Sequence, residues 1–262
     1  MPGELNEEVR LAARAWAPDD YLAALLAPEY VRADLVAIAA FLGDVERILA
    51  TVSEPALAEI RLQWWRDAIA GAARDERIGH PVADAIGEAI RRHSLPVAEF
   101  EGLIEARTHD LYADPLAGEA ALEAYLDMAD GAAFRLSARC RGADPSTALI
   151  AAAGQAYGRA RLCRTLAQFV ARGRNPFPGE AGEAGTIIAV QLRAARESLA
   201  SARALWAKSA RDARGACLPL VLVGPYLKAA SRPGHDPARM VRDITPLTRV
   251  WCLWRAHVTG RL

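Results

Sequence analysis

The chain has 262 residues, 52% of them hydrophobic and 24% charged, so it contains enough apolar material for a sizeable core. Its 32 basic and 32 acidic residues give a formal net charge of zero, which argues against nucleic acid as a partner. Four widely spaced cysteines form no C-x-x-C pair, a pattern typical of reduced thiols in a cytoplasmic protein.

Helix-forming alanine, leucine and arginine dominate the chain, and no segment shows sustained alternation of β-branched residues. Apolar periodicity, with proline and glycine as breaks, predicts helices over residues 7–15, 19–27, 32–50, 53–67, 82–93, 97–112, 119–141, 146–172, 186–210, 218–231 and 246–258. A glycine-rich stretch, 173–185, predicts a loop. Because connectors are short and composition is even, we expect one all-α domain spanning residues 1–262.

The segment from Ser53 to Asp67 carries the most specific pattern, S-E-P-A-L-A-E-I-R-L-Q-W-W-R-D. Ser53 is predicted to cap the helix, and Pro55 lies in its first turn. Four apolar residues recur at helical spacing and predict a buried face: Leu57, Ile60, Trp64 and Ala68. Adjacent tryptophans point about 100° apart, so we expect this helix to be buried on more than one side.

The ends of the chain and its apolar runs bear on localisation. The acidic N-terminus lacks the apolar core of a signal peptide, and no apolar run approaches the roughly 20 residues that span a bilayer. We therefore expect a soluble, cytoplasmic protein. If it contacts a membrane, we expect it to lie on the surface of the inner membrane.

The side chains that often hold metals give weak patterns here. The five histidines share no ligand spacing, so no zinc site is predicted. Asp110 and Asp114 match the D-x-x-x-D spacing that lets two carboxylates share a magnesium ion. However, Pro115 disfavours helix at the preceding residue, so this pair is interpreted as a helix end.

Arginines cluster at two places, around Arg159 to Arg164 and at Arg172 and Arg174. A guanidinium fork suits phosphate or carboxylate, and three of these residues are predicted to bind an anionic ligand: Arg159, Arg164 and Arg172. Surface ion pairing is the alternative, and the sequence leaves both open.

Six segments together resemble the squalene/phytoene synthase superfamily: residues 40–49, 53–67, 95–112, 125–131, 154–160 and 244–256. The resemblance implies an all-α, isoprenoid-synthase-like helical bundle around an apolar central cavity. In catalytic members, two D-x-x-x-D motifs on facing helices bind magnesium and the substrate diphosphate, and two prenyl diphosphates are joined head to head. Magnesium and arginines would stabilise the departing diphosphate.

Both motif positions depart from the family pattern. Asp44 plus four residues is Ile48, and Glu46 plus four is Ala50, so no carboxylate pair shares a helical face. Residues 162–174 contain no acid, and Gln168 stands where the first aspartate of the second motif is expected. We therefore predict that the motifs are degenerate, with no catalytic residue, no metal and no cofactor.

The chain is similar to a divergent branch of this superfamily, the mitochondrial complex I assembly factor with a squalene/phytoene synthase domain. This similarity implies a non-catalytic helper that retains an isoprenoid or lipid ligand and acts on a membrane complex or its assembly intermediates. One alternative is a magnesium-dependent prenyl transferase using unconventional acids that converge on one cavity: Asp44, Glu46, Asp110 and Asp127. Another is a ligand-free structural domain with a filled core. We favour the non-catalytic helper.

Overall fold

The computed structural model describes residues 6–112, 114–144, 146–179, 184–232, 234 and 236–262. Within these ranges every regular element is helical, which confirms the predicted all-α fold. Positions 1–5 of the predicted leaderless N-terminus and 180–183 of the predicted loop lie outside the described residues. The α-helices are α1 (Glu7–Trp16), α2 (Pro18–Leu25), α3 (Glu29–Thr51), α4 (Pro55–Ala73), α5 (Pro81–His93), α6 (Val97–His109), α7 (Glu119–Leu126), α8 (Ala132–Cys140), α9 (Ala148–Val170), α10 (Ala184–Trp206), α11 (Arg211–Ala216), α12 (Val223–Ala230) and α13 (Pro246–Thr259).

The predicted helix over 119–141 is interrupted at its middle. A π-helical turn, Asp127–Gly131, joins α7 to α8. This turn packs directly on α9. The approach is close: a β-carbon at Gly154 of α9 would lie 2.9 Å from the Cα of Gly131. The missing side chains at this crossing let the two backbones approach closely. π-Turns are rare and are often found at functional sites, and this one carries Asp130 to the centre of the bundle.

Helix α4 differs from its sequence prediction at the cap and at the buried face. Glu54, not Ser53, is the N-cap residue, and no side chain caps the helix. The predicted face is largely wrong: Leu57, Ile60 and Trp64 are 44%, 66% and 40% exposed. The core side is formed by residues that include Ala58, Leu62, Trp65, Ala68 and Ile69.

Trp65 is the residue that anchors α4. Its ring lies 5.1 Å from the ring of Phe41 in α3, edge to face, and Phe41 lies 5.3 Å from Phe100 in α6. Trp64 packs against the edge of Trp65 at 5.1 Å while remaining partly exposed. The helix is therefore buried on one side, not on several.

Two clusters of buried apolar side chains fill the bundle. The first is built mainly from α1, α3, α4, α5 and α6, and the second mainly from α7, α9, α10, α12 and α13. Helices α2, α3, α6, α8 and α9 meet between these clusters, where polar side chains gather. None of the described helices combines the length and hydrophobicity that crossing a membrane requires.

Candidate functional site

A small central cavity of about 100 Å³ lies where these helices meet. Apolar residues such as Leu42, Val45, Leu103 and Phe134 form part of its wall. Charged side chains form much of the rest: Asp19, Asp20, Glu46, Asp130, Arg107, Arg161 and Arg164. The large apolar cavity that the family resemblance implies is thus replaced by a small one whose wall mixes apolar and charged side chains.

One side of the cavity is closed by a buried hydrogen-bond network. Arg161 of α9 binds Asp130 with two bonds, Nε to Oδ1 at 2.8 Å and Nη2 to Oδ2 at 3.0 Å. Tyr125 donates its hydroxyl to Asp110 Oδ2 at 2.9 Å and accepts bonds from Arg161 and Arg107. Burial raises the pKa of Asp110, and the nearby arginines Arg107 and Arg161 offset only part of this effect.

A second network centres on Asp19 at the start of α2. Its Oδ2 accepts hydroxyl hydrogen bonds from Tyr157 at 2.7 Å and Tyr226 at 2.6 Å, and its Oδ1 accepts one from Arg249 Nε at 2.5 Å. Arg249 also binds Asp243, at 3.0 Å. The buried charge of Asp19 is therefore fully compensated by partners from three different helices.

Asp20 has a different environment from its neighbour. It lines the cavity, and no hydrogen bond joins its carboxyl group to another side chain of the described residues. Burial, together with the nearby charges of Asp19 and Asp130, raises the pKa of Asp20 to about 7. Asp20 therefore takes up a proton at a higher pH than an ordinary aspartate does.

The four acids of the transferase hypothesis do not converge on one cavity. Glu46 lines the central cavity and, with Asp110, an adjoining space of about 20 Å³. Asp44 is buried elsewhere and accepts a 3.1 Å bond from Arg47 Nε. Asp127 pairs with Arg135 at 2.8 Å. Only Glu46 and Asp110 are therefore brought together.

The three predicted ligand-binding arginines have three different surroundings. Arg164 lines the central cavity, lies 4.8 Å above the ring of Tyr226 and reaches Asp243 at 3.2 Å. Arg172 lines the adjoining space with Gln168 and donates to the Ala50 carbonyl at 2.7 Å. Arg159 is buried, binds Glu119 at 2.6 Å and lies outside both linings. They form no single anion site in this structure, and their ligand-binding role stays a prediction.

The sequence patterns do not identify most residues of the two networks: Asp19, Tyr125, Asp130, Tyr157, Tyr226 and Arg249. They also do not identify Asp20 of the cavity wall. The sequence predicts that Asp19 and Asp20 lie at the start of a helix, and they do. Their partners are far away in the chain, so no local spacing could reveal them. The one local signal was the pair Gly154 and Gly158 on α9, which marks a close helix contact.

The donor set does not fit the magnesium cluster that the family resemblance implies. Arg161 binds both carboxylate oxygens of Asp130, and Asp19 accepts bonds from two tyrosines and Arg249. Glu46 lies 3.8 Å from Arg107, so among the described lining residues only Asp20 has a carboxyl group without a partner. Magnesium requires free oxygen ligands in near-octahedral geometry. Across the described part of the chain, no three side chains of histidine, cysteine, aspartate or glutamate gather in a way that could hold a metal ion.

Comparison with known proteins gives one family and two kinds of relatives. A family model for squalene/phytoene synthase matches residues 13–255. The structure superposes on a squalene synthase, HpnC, from Alicyclobacillus acidocaldarius with a TM-score of 0.73 and 20% identity, covering 87% of this chain and 94% of that one. It superposes on a dehydrosqualene synthase solved with a ligand with a TM-score of 0.75 and 12% identity, covering 97% and 96%. At these identities the likeness concerns the fold alone.

The second kind of relative is an assembly factor of complex I. NADH dehydrogenase (ubiquinone) complex I, assembly factor 6, of Bos taurus is 30% identical over 93 residues, which are 36% of this chain and 28% of that protein. The Mus musculus protein is 26% identical over 124 residues, 47% of this chain and 37% of that protein. The matched segment thus spans about a third of the length of these relatives.

Proposed function

Because this chain belongs to the squalene/phytoene synthase family, we propose that it keeps the family's helical bundle but lacks prenyl transferase activity, and that it assists the assembly of a membrane protein complex. The observation that carries this proposal is the state of the cavity carboxylates. Asp130 is neutralised by Arg161, and Asp19 by Arg249. Ionisation of an allylic diphosphate needs cations that bind the leaving group, and these guanidinium groups are already engaged by protein acids.

The positions of the two motifs support the same proposal. On α3, Asp44 is held by Arg47, and only Glu46 faces the cavity. On α9, Gln168 lies beside Arg172 and Arg174 in the small adjoining space. A cationic second motif repels magnesium and would not hold it by the family's mechanism. The proposal therefore includes neither a metal nor a cofactor.

The size of the cavity also counts against catalysis on long prenyl chains. Ligand sites are usually about 300–1,000 Å³, whereas the central cavity has about 100 Å³. The central cavity is too small for an isoprenoid or lipid ligand. Binding of such a ligand would require the helices of the bundle to move apart. A cavity this small also suits the third hypothesis, a ligand-free structural domain.

The surface of α13 supports a role in binding partners. Five apolar side chains follow one another along its solvent side: Leu247, Val250, Trp251, Trp254 and Val258. Leu247 is 82% exposed and Trp251 is 60% exposed. Contiguous exposed apolar side chains mark protein or membrane contacts. Together with the similarity to complex I assembly factor 6, this face favours contact with a membrane complex. The proposal places the protein in the cytoplasm, peripheral to the inner membrane.

The enzymatic half of the proposal is tested with purified protein, magnesium and either farnesyl or geranylgeranyl diphosphate. We expect no condensation product under conditions in which a working squalene synthase gives one. Magnesium-dependent turnover that is lost in Asp44→Ala or Glu46→Ala, but kept in the surface variant Asp67→Ala, would overturn it.

The assembly half is tested in cells of the source organism. Deletion of the gene should lower the amount of an assembled membrane complex on native gels, and NADH dehydrogenase is the first complex to examine. The wild-type gene should restore it, and a double variant, Trp251→Ser and Trp254→Ser, should not. Tyr30→Ser, an exposed aromatic residue on α3, is the matched control. Unchanged complexes after deletion would contradict the proposal.

The alternative remains a magnesium-dependent, head-to-head prenyl transferase using unconventional acids. The observation in its favour is that Glu46 and Asp110 share one small space. The remaining two acids that this hypothesis needs, Asp44 and Asp127, are paired with Arg47 and Arg135 outside it. We therefore prefer the non-catalytic proposal, and the turnover experiment above decides between them.

A further inference from the structure

A second and larger cavity, of about 640 Å³, lies at the C-terminal end of α13. Its wall is formed by the connection between α2 and α3, the end of α8, the end of α10, helix α11 and residues 256–260. No residue lines both this cavity and the central one. It is therefore a separate feature of the molecule, and its volume is that of an ordinary small-molecule site.

The charge of this cavity is one-sided. Arg141, Arg211 and Arg214 line it, and Asp212 is the single acid among the described lining residues. His257 also lines it, but burial and the nearby Arg211 and Arg141 lower its pKa, so the arginines carry the positive charge. Neither Arg141 nor Arg211 forms a side-chain hydrogen bond or an ion pair with another described residue. The Nε of Arg141 is buried and has no acceptor. Because this Nε has no accessible surface, contact with a ligand falls to the two terminal nitrogens of the guanidinium group.

Two glycines hold the cationic groups in place. A β-carbon at Gly215 would lie 2.7 Å from Arg141 Nη1, so the missing side chain lets the guanidinium lie against the backbone of α11. At the other end, the carbonyl of Gly260 accepts hydrogen bonds from Arg214 Nη1 at 3.2 Å and from Trp206 Nε1 at 2.9 Å. Gly260 has φ of 66°, a left-handed conformation that favours glycine. Arg141 and Arg214 are thus held against the backbone, whereas Arg211 is an exposed side chain of the lining.

We propose that this cavity binds a phosphate-bearing ligand, with the forks of Arg141 and Arg211 as the main contacts. Guanidinium groups bind phosphate oxygens in pairs of charge-assisted hydrogen bonds. The excess of positive charge selects an anion, and the terminal nitrogens of Arg141 and Arg211, which form no hydrogen bond with another described residue, supply the donors. This inference does not depend on the proposed function, because it uses no residue of the central cavity.

The apolar part of the wall suits the organic portion of such a ligand. Leu26, Pro28, Trp206, Leu218 and Val258 lie around the arginines. Val258 also belongs to the exposed apolar face of α13. A phosphate group in this place could belong to a soluble phosphate ester or to the headgroup of a lipid, and the experiment below separates the two sources.

Titration calorimetry with inorganic phosphate tests the site directly. We expect binding by the wild-type protein that weakens about tenfold or more in Arg211→Gln. Arg211 is exposed and unbonded, so this variant should fold normally. Arg61→Gln removes an exposed arginine of α4 far from the cavity and should leave binding unchanged. Asp212→Asn should strengthen binding several-fold, because it removes the acid that competes with the phosphate, an outcome that mere structural damage would not give.

Sedimentation with vesicles tests the lipid source. Binding to phosphatidylglycerol vesicles but not to phosphatidylcholine vesicles, reduced in Arg211→Gln and kept in Arg61→Gln, supports a lipid headgroup. Binding of free phosphate without vesicle binding, with the same dependence on Arg211, supports a soluble phosphate ester. The proposal is overturned if neither probe binds, or if Arg61→Gln weakens binding as much as Arg211→Gln.

Discussion

Asp19 near the start of α2 and Arg249 in α13 are 230 residues apart in the chain, yet they meet at 2.5 Å in the interior of the bundle. Tyr157 of α9 and Tyr226 of α12 bind the same aspartate. One carboxylate thus holds together α2, α9, α12 and α13. A buried carboxylate with this number of partners stabilises the fold only while its partners remain.

Replacement of Arg249 by methionine should therefore destabilise the protein strongly. The change leaves Asp19 buried without its cation, which costs about 3–5 kcal/mol. Urea unfolding followed by circular dichroism measures this loss in the free energy of unfolding. Arg255→Met, on the exposed side of the same helix, is the control and should change it by about 0.5 kcal/mol or less. Adding Asp19→Asn to Arg249→Met should recover part of the loss, because the unpaired charge disappears.

Asp20 predicts an unusual dependence of stability on pH. Its pKa is about 7 in the folded protein and near 3.8 in the unfolded chain. Between these values the folded state binds more protons than the unfolded state, so stability falls as pH rises through this range. The shift corresponds to at most about 4 kcal/mol, and less where the carboxyl group reaches solvent.

The variant Asp20→Asn should remove this dependence, because asparagine carries no charge at any pH. Thermal unfolding at pH 5 and pH 8 should show a larger difference for the wild-type protein than for Asp20→Asn. Asp75→Asn, in an exposed turn, should behave like the wild type. Equal pH profiles for the wild type and Asp20→Asn would contradict the raised pKa.

Because α9 and the π-turn are in close contact, we expect alanine to destabilise the protein at Gly158 but not at Gly102. A β-carbon at Gly158 would lie 2.5 Å from Asp130 Oδ2 and 2.6 Å from Leu126 Cδ2. Gly158→Ala should therefore push α9 away and destabilise the protein by about 1–3 kcal/mol. Gly102→Ala in α6 meets its nearest neighbour, Met128, at 4.0 Å, and should be neutral or stabilising by helix propensity. Similar losses in both variants would show that the close contact is not the cause.

The helices could be predicted because their signals are local. Prolines stand at or beside the first residue of α2, α4, α5, α6 and α13, where the missing amide hydrogen is not needed. The family fold could also be predicted, since segments such as 53–67 carry it. The π-turn could not, because an extra residue in a helix leaves the apolar pattern on either side nearly intact.

The candidate site was much harder to predict than the fold. Asp44, Glu46 and Gln168 were chosen by position in the family pattern, and only Glu46 lines the central cavity. Asp130 and Arg161 meet at 2.8 Å in its wall, although 31 residues separate them in the chain. Buried ion pairs of this kind depend on tertiary packing, for which sequence spacing gives no signal.

The two tryptophans of α4 give the sharpest test of how the structure corrects the sequence. The periodic pattern placed Trp64 in the core, whereas the structure buries Trp65, 2% exposed, against Phe41. Trp65→Ala should destabilise the protein by about 3–5 kcal/mol, since it leaves a large cavity. Trp64→Ala loses mainly its edge contacts with Trp65 and His80, worth about 1 kcal/mol. Urea unfolding of both variants measures the two losses in the free energy of unfolding. A larger loss for Trp64→Ala would show that Trp64 is the buried residue, as the sequence pattern predicts.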